Sequence, residues 1–550
     1  MSCVDYIYSN EYVDFIYDYN YREEEIYNRF EPDCVNILSS KYAQVYKKIE
    51  DLKTMSINRY GYDSFVKLYT TLDEEVNEEI GIGKLRNIEG FDYTGRDVLI
   101  GFVDTGVNYN LDIFKREDGT SKIIGIWDQS IYDEQENSYF DYGRYYTREE
   151  INKAINSDEP LDIVKSTDNI GHGTAIASIC VGNEDLENGF VGGAPDAEVV
   201  VVKLKETKRN IKEYYGVKED VVCYGNNDII AGILFLEEIA RRENKPLVIC
   251  LAIGTTQGSH KGRNYLSELI DFLSNSSGIA VVVAGGNEVN TKRHYQGIMN
   301  LEENALDNIN EDNSYVDRNS ITAINMATST IEEVEITVEG QNQGLVNGFF
   351  LEIWTKTPNQ LGIGLVSPTG EIIPMVNYNN NNSEEINFIF DKTTVYIDYV
   401  NGVANSGDSL VFVRFKNPSV GIWKLVLYKK VLVNGGYNIW LPTIKLVNDT
   451  ITFVKSEPNM TLVSEGNTQN GITVSGYNYN NGGIYVNSSR GYTADDKIKP
   501  DISAPAVDIT TINNRGNYVK LSGTSMAAAI TVAAVTMLFE WADYVILMKQ

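Results

Sequence analysis

The stretch Val98-Leu-Ile-Gly-Phe-Val103 decides how the rest of the chain reads. It is a short, uninterrupted apolar run, the signature of a strand buried on both faces. The type recurs at Val199-Val-Val-Val202, Leu247-Val-Ile-Cys-Leu251 and Ile279-Ala-Val-Val-Val283. Helical patterns lie between these runs, from Asp228 to Arg241 and from Tyr265 to Leu273. Apolar strands alternating with helices imply an α/β domain, a parallel sheet with helices on both faces.

Working outward, the texture changes twice. Glu333-Val-Glu-Ile-Thr-Val338 alternates strictly, and Phe349–Trp354, Thr394–Asp398, Leu410–Arg414 and Trp423–Tyr428 continue as strands separated by Gly, Asn and Pro turns. This predicts an inserted all-β domain over residues 329–458, a sandwich or jelly roll. The α/β texture spans 86–328 and resumes over 459–550. At the other end, residues 1–85 read as a separate α+β unit. Tyr12–Tyr17 and Cys34–Leu38 suit strands, while Tyr42, Val45, Tyr46, Ile49 and Leu52 follow the spacing of an amphipathic helix. The acidic run Leu72-Asp-Glu-Glu-Val-Asn-Glu-Glu79 reads as a solvated linker.

Composition narrows the function. The chain has 550 residues, 43% of them hydrophobic, enough for sizeable cores. A net charge of −30 argues against a nucleic-acid-binding face, which needs clustered Lys and Arg. The five cysteines are scattered without ligand spacing, so neither a zinc site nor a disulfide framework is expected, and Cys180 and Cys250 read as small core residues. The start, Met1 to Asn20, lacks a basic head and an apolar stretch, and no run approaches the ~18 apolar residues of a membrane span. Cytoplasmic synthesis without a signal peptide is the expectation.

Four residues carry chemistry. Asp104 ends the first strand in Phe102-Val-Asp-Thr-Gly106, where parallel sheets place their functional groups, although an aspartate there is often only a turn residue. His172 lies in Asn169-Ile-Gly-His-Gly-Thr174, a glycine turn entering a helix and a poor place for a packing histidine. Ser525 lies in Leu521-Ser-Gly-Thr-Ser-Met-Ala-Ala-Ala529, either a plain helix cap or a nucleophile with its own N–H aimed at an oxyanion. Asn287 follows another apolar strand in Val283-Ala-Gly-Gly-Asn-Glu288. Together they suit acyl transfer: a serine needs a base, the base a carboxylate, and the intermediate preorganised donors. His260 and His294 read as surface or supporting residues. The loop Asp133-Glu-Gln-Glu136 suits calcium less well than solvent. No cofactor or metal is called for.

The segments Asp-Thr-Gly106, Gly-His-Gly-Thr174, Gly-Asn-Glu288 and Gly-Thr-Ser-Met-Ala527, in that order, with Lys499-Pro-Asp-Ile-Ser-Ala-Pro505 before the last, resemble the subtilisin-like serine proteases. The resemblance covers roughly 90–300 and 460–540. It implies an endopeptidase with the triad Asp104, His172 and Ser525 and the oxyanion donor Asn287. It also implies a substrate-pairing segment Leu251, Ala252, Ile253 and Gly254, with Ala252 where the family usually has serine. Residues 1–85 are similar to the family's propeptide, implying self-cleavage between about 70 and 92, so the expected partners are a protein or peptide substrate and the chain's own propeptide. Within the family the chain is similar to the clostridial Csp germination proteases, which implies a spore-associated role in activating a cortex-degrading hydrolase. Two features depart from the pattern. Ala528-Ala-Ile530 replaces the usual Thr-Pro-His, and the chain stops soon after Trp541, where the family usually continues. The second departure keeps open a non-cleaving scaffold or sensor on the same fold.

Overall fold

Alternation along the central strands sorts their side chains onto two faces. In the strand Leu99–Asp104, Ile100 and Phe102 enter one core while Leu99 and Val103 enter another. Val199 and Val201 join the first, Val200 and Val202 the second. Such two-sided burial requires helices above and below. The computed structural model, which describes residues 3–52, 55–76, 93–132, 140–299, 331–340, 347–376, 383–447 and 451–547, has them. The eight-stranded sheet runs in the order Ile502–Pro505, Ile472–Tyr477, Ile279–Ala284, Leu247–Leu251, Leu99–Asp104, Glu198–Lys203, Ile123–Asp128 and Arg144–Thr147. All neighbours are parallel except the last pair. Helices His172–Val181 and Thr524–Leu547 contribute to the first core, Asn226–Glu243 and Tyr265–Ser274 to the second. The stretch Thr524–Asp543 is long and apolar enough, by length and composition, to cross a membrane, yet half of it is buried inside the protein. Its Thr, Ser, Glu and Asp residues interrupt the apolar run, which is why the sequence pattern predicts no span there.

The β-rich insertion forms two antiparallel sheets around one core that includes Phe349, Ile363, Val413 and Trp423. Among the described residues one sheet has six strands and the other five. The first includes His294–Ile298, paired with Gly436–Trp440, so strands of this sandwich begin well before residue 329.

In the N-terminal unit the strands Tyr12–Asp18, Tyr42–Lys48 and Cys34–Ile37 form an antiparallel sheet in that order. The helix expected over Tyr42–Leu52 is therefore a strand through Lys48. It is apolar on both faces: Tyr42 and Tyr46 pack into the second core with the helices Asn226–Glu243 and Tyr265–Ser274, Ala43 and Val45 into the unit's own core. That double burial produced a spacing that mimics a helix. Cys3 and Cys34 are joined in a disulfide across 31 positions, contrary to the expectation of no cross-link. Cys180 and Cys250 are buried, as expected. The Asp133–Glu136 loop and most of the expected cleavage range lie outside the described residues.

Candidate active site

Asp104 is the last residue of a central strand and His172 the first of a helix, and the chain between them is stitched together by Asp168. The Asp168 carboxylate accepts the N–H groups of Gly171 (2.7 Å) and Thr174 (2.9 Å) and the hydroxyls of Thr174 (2.7 Å) and Thr105 (2.9 Å). It occupies the anion-favouring entry of the helix and fixes its first turn against the strand end. Thr105 adds a second link, its hydroxyl accepting the Gly173 N–H at 2.9 Å. A side chain on Gly173 would fall on the Gly106 carbonyl, so the approach of helix to strand requires glycine there.

The outcome is a line of three side chains. His172 Nδ1 lies 2.7 Å from Asp104 Oδ1, and His172 Nε2 lies 3.2 Å from Ser525 Oγ. All three residues are nearly inaccessible, at 2%, 2% and 0% exposure, so they interact in a water-poor setting where electrostatics are strong. Burial disfavours the imidazolium, but the Asp104 and Asp73 carboxylates outweigh it and carry the His172 pKa above its ordinary 6.5. The Ser525 hydroxyl also reaches the Ala252 carbonyl, at 3.0 Å.

Asn287 Oδ1 accepts the Thr524 N–H at 3.1 Å, which fixes the amide orientation and points Nδ2 the other way. Nδ2 donates to the carbonyl of Leu72 at 2.7 Å. Leu72 belongs to the segment read as a linker. It is buried, and the segment runs through the cleft. Leu68–Thr71 forms the middle strand of a three-stranded antiparallel sheet, between Tyr224–Gly225 and Ile253–Gly254. Beyond it, Glu74–Val76 pairs with Tyr518–Ser522, the strand leading into the serine helix. The Leu72–Asp73 peptide therefore lies between two paired arms, with its carbonyl on Asn287. Gly523, at φ 152°, lets this happen: a Cβ there would sit 2.5 Å from the Leu72 oxygen.

Of the four cleft residues expected from sequence, Ile253 and Gly254 pair with the segment, and Ala252 meets Ser525 through its carbonyl. Leu251 instead ends a core strand and is buried in the second core. His260 and His294, expected near the surface or the site, are both buried and each stack on Trp440, with centroids 3.9 and 4.9 Å away. Asp168, Thr105, Thr524 and the Tyr224–Gly225 wall were not foreseen. The short spacing of Asp168 to the Gly-His-Gly turn was the one available signal.

A parallel sheet carrying this buried line of Asp, His and Ser beside a fixed amide donor defines the subtilisin-like class of α/β proteins. The chain belongs to the subtilase family, whose family model matches residues 95–382 and 444–545. It is 24% identical over 539 residues to the subtilisin-like protease SBT3.8 of Arabidopsis thaliana, covering 90% of this chain and 62% of that protein's length. A stretch of 51 residues is 49% identical to the C5a peptidase of Streptococcus pyogenes, covering 9% of this chain and 4% of that one. Among solved structures, the CspB protease of Clostridium perfringens shares the fold, with a TM-score of 0.66 at 24% identity over 82% of this chain and 85% of that one.

Proposed function

We propose that the chain is a serine endopeptidase whose first substrate is its own Leu72–Asp73 bond. The observation that carries this reading is the Leu72 carbonyl, 2.7 Å from Asn287 Nδ2, on a strand threaded past a serine that lies 3.2 Å from a histidine. Ser525 Oγ attacks the Leu72 carbonyl carbon as its proton passes to His172 Nε2. Asp104 holds the imidazole by its other nitrogen and stabilises the cation. The carbonyl oxygen, now negative, is held by Asn287. Collapse breaks the bond to the Asp73 nitrogen, which leaves with the proton from His172, and water then frees Leu72 from the serine by the reverse steps. Other peptides enter as the same added strand between Tyr224–Gly225 and Ile253–Gly254. Intact mass tests the reading: wild-type protein resolves into two pieces cut after Leu72, and S525A stays whole. An uncut wild type that is folded ends it.

A non-cleaving scaffold is the second reading. It draws on the Ser525 hydroxyl, whose single proton has the Ala252 carbonyl as an alternative acceptor to His172. A fluorophosphonate that labels wild type but not S525A decides for the enzyme, and no labelling decides for the scaffold.

We also propose a spore-associated role after cytoplasmic synthesis, activating a cortex-degrading hydrolase by cutting its precursor. The shared fold with CspB supports it. The Cys3–Cys34 bridge adds support, because disulfides persist where thiols are not kept reduced. Incubation with such a precursor tests it, since cutting must depend on Ser525.

A further inference from the structure

Lys445 lies in the short helix Ile444–Val447, at the return from the β-sandwich to the catalytic body. Nothing in the sequence drew attention to it. Its ammonium donates to Thr71 Oγ1 at 2.8 Å and to Asp73 Oδ1 at 2.7 Å. It thus touches the residue before Leu72 and the residue after it, and spans the bond presented to Ser525. The contact is half-sheltered, with side-chain exposures of 38% for Lys445 and 20% for Asp73. The approach to the helix is anchored to the catalytic body, because the Thr256 hydroxyl donates to the Leu441 carbonyl at 2.7 Å. Thr443, one residue earlier, places its hydroxyl 3.4 Å from that of Thr70.

The cleft also creates a need for such a cation. The Asp73 carboxylate lies 3.9 Å from His172 Nε2, and Asp104 is already on the other side of the ring. On a chain of net charge −30, a second acid beside the triad is disfavoured unless something opposes it.

We propose that Lys445 is a specificity-determining residue that reads an acidic side chain immediately after the cut bond, so the site selects peptides with Asp or Glu at that position. This rests on the endopeptidase reading above. The lysine acts through charge and position and takes no part in bond making. A basic residue after the cut would set a second cation at contact distance from Lys445, and a neutral one would remove the carboxylate that the ammonium binds.

Cell-free synthesis of the full chain at pH 8.5, with timed acid quenching and mass detection of the cut after Leu72, tests the inference. D73K and K445E are each expected to cut about tenfold more slowly than wild type, D73N a few-fold more slowly, and the double variant D73K/K445E to recover most of the rate. Recovery by the double swap excludes slow folding as the cause of either single loss. If K445E and D73K cut at the wild-type rate, or the double variant is no faster than the singles, the inference is wrong while the endopeptidase reading stands. If wild type itself leaves the Leu72–Asp73 bond whole, that reading falls and this one with it.

Discussion

Asn287 is the residue on which the chemistry turns, because both ends of its amide are committed. Oδ1 is held by the Thr524 N–H, so Nδ2 cannot swing away from the carbonyl it faces. Preorganisation of this kind makes one donor worth about 100- to 1,000-fold in rate, and N287A is expected to slow cutting after Leu72 by that factor, measured by timed intact mass. His172 sets the pH dependence. Only the neutral imidazole accepts the serine proton, and its pKa is held above 6.5 by Asp104 and Asp73. The rate of self-cutting therefore rises with pH through a midpoint above 6.5, and in D73N, with one raising carboxylate gone, the midpoint moves down. A pH–rate profile of the two proteins checks the direction. The residues of the line were legible in the sequence because glycine and threonine neighbours mark them. Asp168 and Lys445 were not, since an aspartate in a turn and a lysine after a strand look ordinary until the fold brings five donors to one and two acceptors to the other.

At the scale of elements, the strands of the central sheet were readable because each is apolar throughout and short. The strand Tyr42–Lys48 was misread for the same physical reason, burial on both faces, at a place where the second face belongs to a distant helix. The cross-link between Cys3 and Cys34 was invisible because nothing local brings its ends together. The stack of His260, Trp440 and His294 joins the catalytic loops to the sandwich strand Gly436–Trp440. Burial pushes His260 down to about 3 and lowers His294 as well. A histidine kept neutral in the folded state but protonated in the unfolded chain costs stability as pH falls below the unfolded value of 6.5, until the folded pKa is reached. H260F keeps a ring against Trp440 and removes this titration. Its deficit relative to wild type is expected to narrow by up to about 1.4 kcal/mol per pH unit below 6.5, read from urea midpoints. The comparison must be a difference, because buried Asp63, raised to about 6, acts in the opposite sense in both proteins.

At the scale of the whole molecule, the N-terminal unit is held by far more than the strand in the cleft. Tyr42 and Tyr46 pack into the second core with the helix Asn226–Glu243. Around them runs a buried polar seam: the Tyr42 hydroxyl donates to the Tyr265 carbonyl, and Gln44 Nε2 to that of Asn227. Lys208 donates to Asp14, with Lys205 bound to Asp228 beside it. On the far side Glu352 of the sandwich accepts from Tyr62 at 2.7 Å and from the Gly258 N–H at 2.8 Å, tying three units together at one carboxylate. Cutting one peptide bond after Leu72 removes none of these contacts. The freed fragment is therefore expected to stay bound, co-eluting with the remainder in size exclusion even at 0.5 M salt, because buried pairs are poorly screened. Asp14 is the weak point, since removing it leaves Lys208 buried without its carboxylate. D14A should cost about 3 kcal/mol of association, roughly 100-fold, and release the fragment on dilution. Retention by D14A equal to that of wild type would place the binding energy in the apolar tyrosine face instead, and Y46A would then be the variant that lets go.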